Sequence, residues 1–321
     1  MTTPHPAAPA PETVLAFDVG GTDMKVGLVA GPLDGSPKGR DTDVRDLQRH
    51  RTPLDGPNTG DTVTARIAEL TAAYRAAHPD AAIAAVGVTV PGIVDEETGT
   101  GVYSANLGWR DYPFRDRLTG LVGLPVAFGH DVAMAGEAEF RIGAAAGRTD
   151  VLVLVIGTGI AGAVLCDGRR VRGGGFAGEI GHALVPAPDG TLAILESLAS
   201  AGAIARRYTA ATGTVVDGAK AVLELARKND GAAARVWREA VDALAFNVAQ
   251  CVSMLGTETV VLGGGLSMAG AALFEPLAAR VDELLTFHRR PQFVHAALGE
   301  NAGLIGSALK ARDLLAGVPV G

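Results

Sequence analysis

Gly157, Gly159 and Gly162 stand in the G-x-G-x-x-G spacing of a dinucleotide-binding loop, directly after the six apolar residues 151–156, which read as a strand. Such glycines let a backbone approach a pyrophosphate, provided a helix follows whose N-terminal amides meet the phosphate charge. Glu179 lies 22 residues beyond Gly157, where an acidic side chain would hold a ribose. The residues that follow do not read as a helix: "AGAVLC" is a second apolar run and Asp167-Gly168 is a hairpin turn. The sequence therefore favours a glycine-bearing hairpin over a hydride-transfer enzyme, and an NAD-dependent dehydrogenase is kept as a rival that titration with NADH would expose. Turn amides without side chains in the way can also grip a polyphosphate.

A similar stretch occurs near the N-terminus. Aligned so that Gly20 meets Gly157, "LAFDVGGTDMKVGLV" and "VLVLVIGTGIAGAVL" are each an apolar strand, a glycine-threonine turn and a second apolar strand. The recurrence predicts that both halves of the chain are built on one plan. The elements that must position these turns follow in order. Strands are expected over 14–19 and about 24–30, and a helix carries Val63, Ile67, Leu70 and Tyr74 at helical spacing. "AAIAAVGVTV" reads as a buried strand, "PVAFGH" as another, and Asp131 opens a helix. After the hairpin at Val151, helices are expected around 194–208, 220–227 and 232–255. "ETVVLGGG" is then a strand meeting a Gly-rich turn, and the chain ends in a strand and a helix. "DTDVRDLQRHR" alternates charge as an exposed sheet edge does.

At 321 residues, with 48% hydrophobic residues and 43 glycines, two close-packed α/β lobes are expected. Residues 1–13 read as a disordered Pro/Ala-rich tail, 14–124 as an N-terminal lobe completed by the helix 302–315, and 125–301 as a larger C-terminal lobe. A net charge of −7 gives no footprint for nucleic acid or an anionic membrane. Cys166 and Cys251 form no disulfide framework or metal motif, and with no leader or membrane span legible the expected setting is cytoplasmic.

The motifs "FDVGGTDMKVGLV", "VTVPGIVDEETG", "SANLGW", "FGHDVAMAGEAEF", "VLVIGTGIAGAV", "GGGFAGEIGHALV" and "VVLGGGLS" together resemble, in order and spacing over roughly residues 14–310, the ROK family of bacterial sugar kinases and repressors, especially its glucokinase-like members. The resemblance implies an actin-like ATPase (ribonuclease H-like) fold: two α/β lobes with a nucleotide and sugar cleft between them. It implies ATP-dependent transfer of a phosphoryl group to the 6-hydroxyl of a hexose, glucose or a close relative. Amino sugars (kanosamine, glucosamine, N-acetylmannosamine) are the alternative substrates. A sugar-responsive repressor is a rival, disfavoured because only 13 Pro-rich residues precede Val14.

The family's Asn-Asp-x-Asn motif is matched by His130-Asp131-Val132-Ala133, with both asparagines replaced. Asp131 is thus the expected general base, a role compatible with capping its helix. Asn106, Glu179, His182 and Glu196 resemble the sugar ligands. Asp18 is expected to face Mg²⁺ directly or through water. Gly20, Gly21, Thr22 and Lys25 on one side, and Gly157, Thr158 and Gly159 on the other, are expected at the ATP phosphates. Gly263, Gly264 and Gly265 resemble the adenosine motif. The family's structural zinc needs three cysteines after the histidine; "ALVPAPDGTLAIL" has none, so no zinc is expected. A homodimer is implied by resemblance alone.

Overall fold

The computed structural model describes residues 12–30 and 44–318, so most of the expected N-terminal tail lies outside the described residues. The chain divides into two units, 1–138 with 301–321, and 139–300.

The first unit holds a five-stranded sheet in the order β3-β2-β1-β4-β8, comprising β1 (Val14–Val19), β2 (Asp23–Val29), β3 (Val44–Arg51), β4 (Ala85–Val90) and β8 (Val126–His130). β1 runs antiparallel to β2 and parallel to β4, and β4 parallel to β8. β-Branched residues dominate β4 and apolar residues β1, and the period-two alternation of each strand sorts the two faces. Leu15, Phe17 and Val19 pack with Val63, Ile67 and Leu70 of the helix Thr59–Ala77. Val14 and Ala16 pack with Leu304, Ala308 and Ala311 of the helix Ala302–Leu315. Burying each large apolar side chain contributes roughly 1.5–3 kcal/mol. A small sheet of β5 (Ile93–Asp95), β6 (Thr100–Tyr103) and β7 (Arg110–Tyr112) follows β4, and leads into the helix Phe114–Val122.

The second unit repeats the plan. Its sheet has the order β11-β10-β9-β14-β15, from β9 (Val151–Ile156), β10 (Ile160–Cys166), β11 (Arg169–Arg170), β14 (Thr259–Gly263) and β15 (Gln292–His295). The pairing directions match strand for strand: antiparallel to β10, parallel to β14, parallel again to β15. One face carries Leu152, Leu154 and Ile156 against Leu244 and Val248 of the helix Gly231–Leu255. That helix starts where Asp230 Oδ1 accepts the Ala233 N–H at 2.8 Å, closing an orphan donor of the first turn. A separate ribbon pairs β12 (Leu184–Pro186) with β13 (Leu192–Ile194).

Two expectations need correction. The division between units lies within the helix Asp131–Ile142, not near residue 125, because β8 pairs with β4 and so belongs to the first sheet. The helix expected around 194–208 is two helices, Leu195–Ala199 and Ala201–Thr212, broken at Ser200, whose extended backbone lets its Oγ cap the second by accepting from Ala203 N. As the sequence predicts, Gly157 leads into β10 and not into a helix, which removes the rival dinucleotide-loop reading. Asp167 and Gly168, at φ 50° and 73°, form the tight hairpin turn beyond it. Among the described residues no helix is long and apolar enough to cross a membrane.

Candidate active site

In the first unit the register lays a polar row across the sheet: Lys25 opposite Asp18 on β1, and Thr89 opposite Asp18 on β4. Asp18 continues the alternation of Val14 and Ala16 and so points to the face that carries the helix Ala302–Leu315. A Cβ on Gly303, in that helix's first turn, would lie 2.7 Å from Asp18 Oδ1, so only glycine leaves the carboxylate its space. Thr89 Oγ1 donates to Asp18 Oδ1 at 3.1 Å. Burial, and then the charge of Asp131, raise the Asp18 carboxyl from an ordinary 3.8 to about 6, against the pull of Lys25, the Thr89 bond and Arg49. The repulsion between Asp18 and Asp131 brings two of the predicted residues into one electrostatic neighbourhood.

The Gly20–Thr22 turn between β1 and β2 is held from below. Gly20 N donates to Asp23 O at 2.9 Å, and Thr52 Oγ1 donates to Gly20 O at 2.8 Å. Gly21 and Thr22 are exposed, and a Cβ on Gly21 would meet nothing within 4 Å. The turn thus has room for a ligand against its backbone.

Asp131 opens the helix Asp131–Ile142 at the end of β8. Its side chain is 25% exposed. Val132 N donates to Asp131 Oδ1 at 2.7 Å, and His130 Nε2 lies 3.2 Å from the same oxygen. Burial holds the carboxyl above its usual range, opposed by His130 and the backbone amides. Asp131 does not cap the third residue of its helix: Ala133 N donates to His130 Nδ1 at 3.2 Å. Asn106 is exposed on the turn after β6, while Leu107 and Trp109 on either side of Gly108 are buried and anchor the turn.

The second unit gathers the remaining predicted residues around the β9–β10 turn. Gly157 N donates to Gly159 O at 2.9 Å, and Thr158 is exposed. Glu196, in the helix Leu195–Ala199, reaches this turn: its Oε2 accepts the Ile160 N–H at 2.8 Å, and a Cβ on Gly159 would lie 2.5 Å from that oxygen. Gly159 is therefore needed for the carboxylate's approach, whatever else the turn holds. Glu179 and His182 lie on the segment that follows β11. Gly162 N donates to Gly178 O at 2.8 Å, and a Cβ on Gly181 would lie 2.0 Å from Ile160 O, so the glycines on either side of Glu179 press this segment onto β10. His182 N in turn donates to Glu179 O at 3.1 Å, and His182 is exposed.

The stretch from His182 to Glu196 is the β12–β13 ribbon. Its turn is closed by Asp189 Oδ1, which accepts from Thr191 N at 3.0 Å and Thr191 Oγ1 at 2.7 Å. Leu195 N donates to Ala183 O at 3.0 Å and ties the ribbon's base to the Glu196 helix. The donor set here does not fit a tetrahedral zinc: the only imidazole is His182 and the stretch holds no cysteine. Among the described residues no group of three or more His, Cys, Asp or Glu side chains could hold a metal ion.

Gly263–Gly265 end β14. A Cβ on Gly264, at φ 77°, would lie 2.5 Å from Ile156 O, so this glycine is required by strand packing. Gly265 is exposed, with nothing within 4 Å of a Cβ. Thr89, Thr52 and His130 complete the first unit's site and were not among the residues singled out from sequence. Thr89 had a signal: it is the one polar residue in the strand "AVGVTV".

A family model described as "ROK family" matches residues 14–313. A glucokinase from Halalkalibacterium halodurans is 29% identical over 318 residues, covering 91% of this chain and 92% of its own. The bifunctional enzyme NanE/NanK of Brucella melitensis is 35% identical over 308 residues, covering 94% of this chain and 54% of its own. Among solved structures, a ROK family glucokinase from Streptomyces griseus in complex with glucose and AMPPNP superposes with a TM-score of 0.75 at 28% identity, covering 94% of this chain and 99% of that one.

Proposed function

The chain belongs to the ROK family, and from that premise we propose how its residues carry out ATP-dependent phosphorylation of a hexose. It is a sugar kinase, similar to glucokinases and to a structure that holds glucose with an ATP analogue. The observation that carries the reading is the doubled plan: each five-stranded sheet opens on a hairpin whose glycine turn leaves its backbone accessible, at Gly20–Thr22 and at Gly157–Gly159. Phosphoryl transfer asks little covalent chemistry of a protein and much positioning of charge.

We assign Gly20, Gly21, Thr22, Lys25, Gly157, Thr158 and Gly159 to the phosphates, and Gly263, Gly264 and Gly265 to the adenosine. Asp18 offers a hard carboxylate oxygen of the kind that holds Mg²⁺ or its waters, and its raised pKa fits a group whose charge is meant to be met by a cation. When bound, that ion would neutralise charge on the phosphates. Asn106, Glu179, His182 and Glu196 would hold the sugar hydroxyls, and Asp131 would take the proton from the hydroxyl that attacks the γ-phosphorus. The 6-hydroxyl of glucose is the proposed acceptor. Similarity to an N-acetylmannosamine kinase of Salmonella paratyphi A favours an N-acetylated or free amino sugar as the second reading. A homodimer is proposed on family resemblance alone.

The test is ADP release from ATP and Mg²⁺ across a panel of hexoses and aminohexoses, with product position read by NMR. Glucose should give the highest kcat/KM and a 6-phosphate. A preference for an aminohexose would select the second reading, and no stimulation by any sugar would refute both.

A further inference from the structure

Resting on the assignment of Asp131 as the base, we propose that His130 is a positioning residue that fixes which oxygen of Asp131 accepts the sugar's proton. The argument begins with the imidazole's two nitrogens. Nδ1 receives the Ala133 N–H at 3.2 Å, so Nδ1 must carry a lone pair. In the neutral ring the proton then sits on Nε2, and Nε2 faces Asp131 Oδ1 at 3.2 Å. One ring therefore does two jobs. It closes a backbone donor of the helix's first turn, and it donates a hydrogen bond to the carboxylate that begins the helix.

The first job determines the second. Because the helix amide fixes the tautomer and the ring plane, the Nε2–H direction is set by backbone geometry and not by a free rotor. Val132 N adds a donor to the same Oδ1 at 2.7 Å. With two donors on Oδ1, the structure gives proton acceptance to Oδ2. In the reaction the hydroxyl proton passes to Oδ2, the alcohol oxygen forms its bond to the γ-phosphorus, and the bond from that phosphorus to the departing ADP oxygen breaks. His130 neither gains nor loses a proton and touches no reacting atom. Its contribution is orientation, to which rates are sensitive because a base must meet its proton at hydrogen-bond distance. His130 also stands at a motif position where an asparagine is expected by resemblance, and asparagine can imitate only one of the two nitrogens.

That difference supplies the test. An asparagine oxygen stands where Nδ1 stands and can accept the Ala133 N–H, but asparagine has no group at Nε2. A glutamine amide reaches the Nε2 position but leaves the helix amide without its acceptor. His130→Asn should keep the thermal midpoint, leave KM for the hexose within about twofold and lower kcat by about tenfold or more. His130→Gln should lower the midpoint by a few degrees yet recover kcat to within about threefold of the native enzyme. His130→Asn with native kcat would overturn the proposal, as would kcat falling in both variants in step with lost stability. Asp131→Asn is the control for the underlying assignment: it should abolish nearly all turnover. Were Asp131→Asn active, the base assignment itself would fail, whereas an inactive Asp131→Asn beside a fully active His130→Asn would remove only the role of His130.

Discussion

The role proposed for Asp18 sets function against folding at this residue. Its carboxyl titrates at about 6 in the native protein and near 3.8 as an ordinary aspartate, so between those values the native state binds the proton more tightly than the unfolded chain. Stability is therefore lost as pH rises through that window, and at neutral pH the ionised group costs on the order of 3 kcal/mol. Asp18→Asn removes the charge and keeps an acceptor for Thr89. It should abolish phosphoryl transfer while raising Tm at pH 8 by several degrees, with little gain near pH 4. Thermal melts from pH 4 to 8 measure this, and an unchanged or lower Tm at pH 8 would contradict it. Stability stored against activity in this way is common where a charge must wait for its partner.

At the scale of elements, the helix Ala302–Leu315 has to lie very close both to the first sheet and to the helix Asp131–Ile142. A Cβ on Gly87 of β4 would lie 2.2 Å from Ser307 O, and one on Gly306 would lie 2.1 Å from Met134 O. The same helix carries Lys310, whose Nζ meets Glu96 Oε2 at 2.7 Å, both side chains being 8% exposed. Removing one partner strands a buried charge, so Glu96→Ala should destabilise the protein by about 3–5 kcal/mol, and the double substitution Glu96→Leu with Lys310→Met by markedly less. Chemical denaturation of the three proteins tests this, and equal losses would show that the charges do not depend on each other.

Much at this scale was legible. The two glycine hairpins, the buried positions Val63, Ile67, Leu70 and Tyr74, and the charged edge strand β3 could be read because period and turn chemistry are local signals. The helix Ala271–Leu284 was not, since Pro276 lies inside it and normally argues against a helix interior. The ribbon β12–β13 was hidden by its three-residue strands. The affiliation of β8 was also hidden, because a strand's own residues do not name its partner. In the site, residue types could be read from motifs, whereas the His130 Nδ1 bond and the approach of Glu196 to Gly159 depend on three-dimensional placement.

For the whole molecule, the two units hold separate apolar cores. Phe17, Phe114 and Phe128 lie in one, and Leu152, Leu244 and Leu277 in the other. Separate cores need not melt together. Scanning calorimetry should give a calorimetric enthalpy larger than the van't Hoff enthalpy, and ATP with sugar should shift the whole profile upward. A single two-state transition without ligand would show that the units unfold as one.

The ribbon that joins His182 to the Glu196 helix is closed by an aspartate and a threonine, with Leu195 N and Ala183 O at its base. Nothing in that closure can be oxidised or stripped by a chelator. A cell starved of transition metals, or flooded with peroxide, would find this ribbon standing as before, dependent only on a turn that re-forms each time the chain folds.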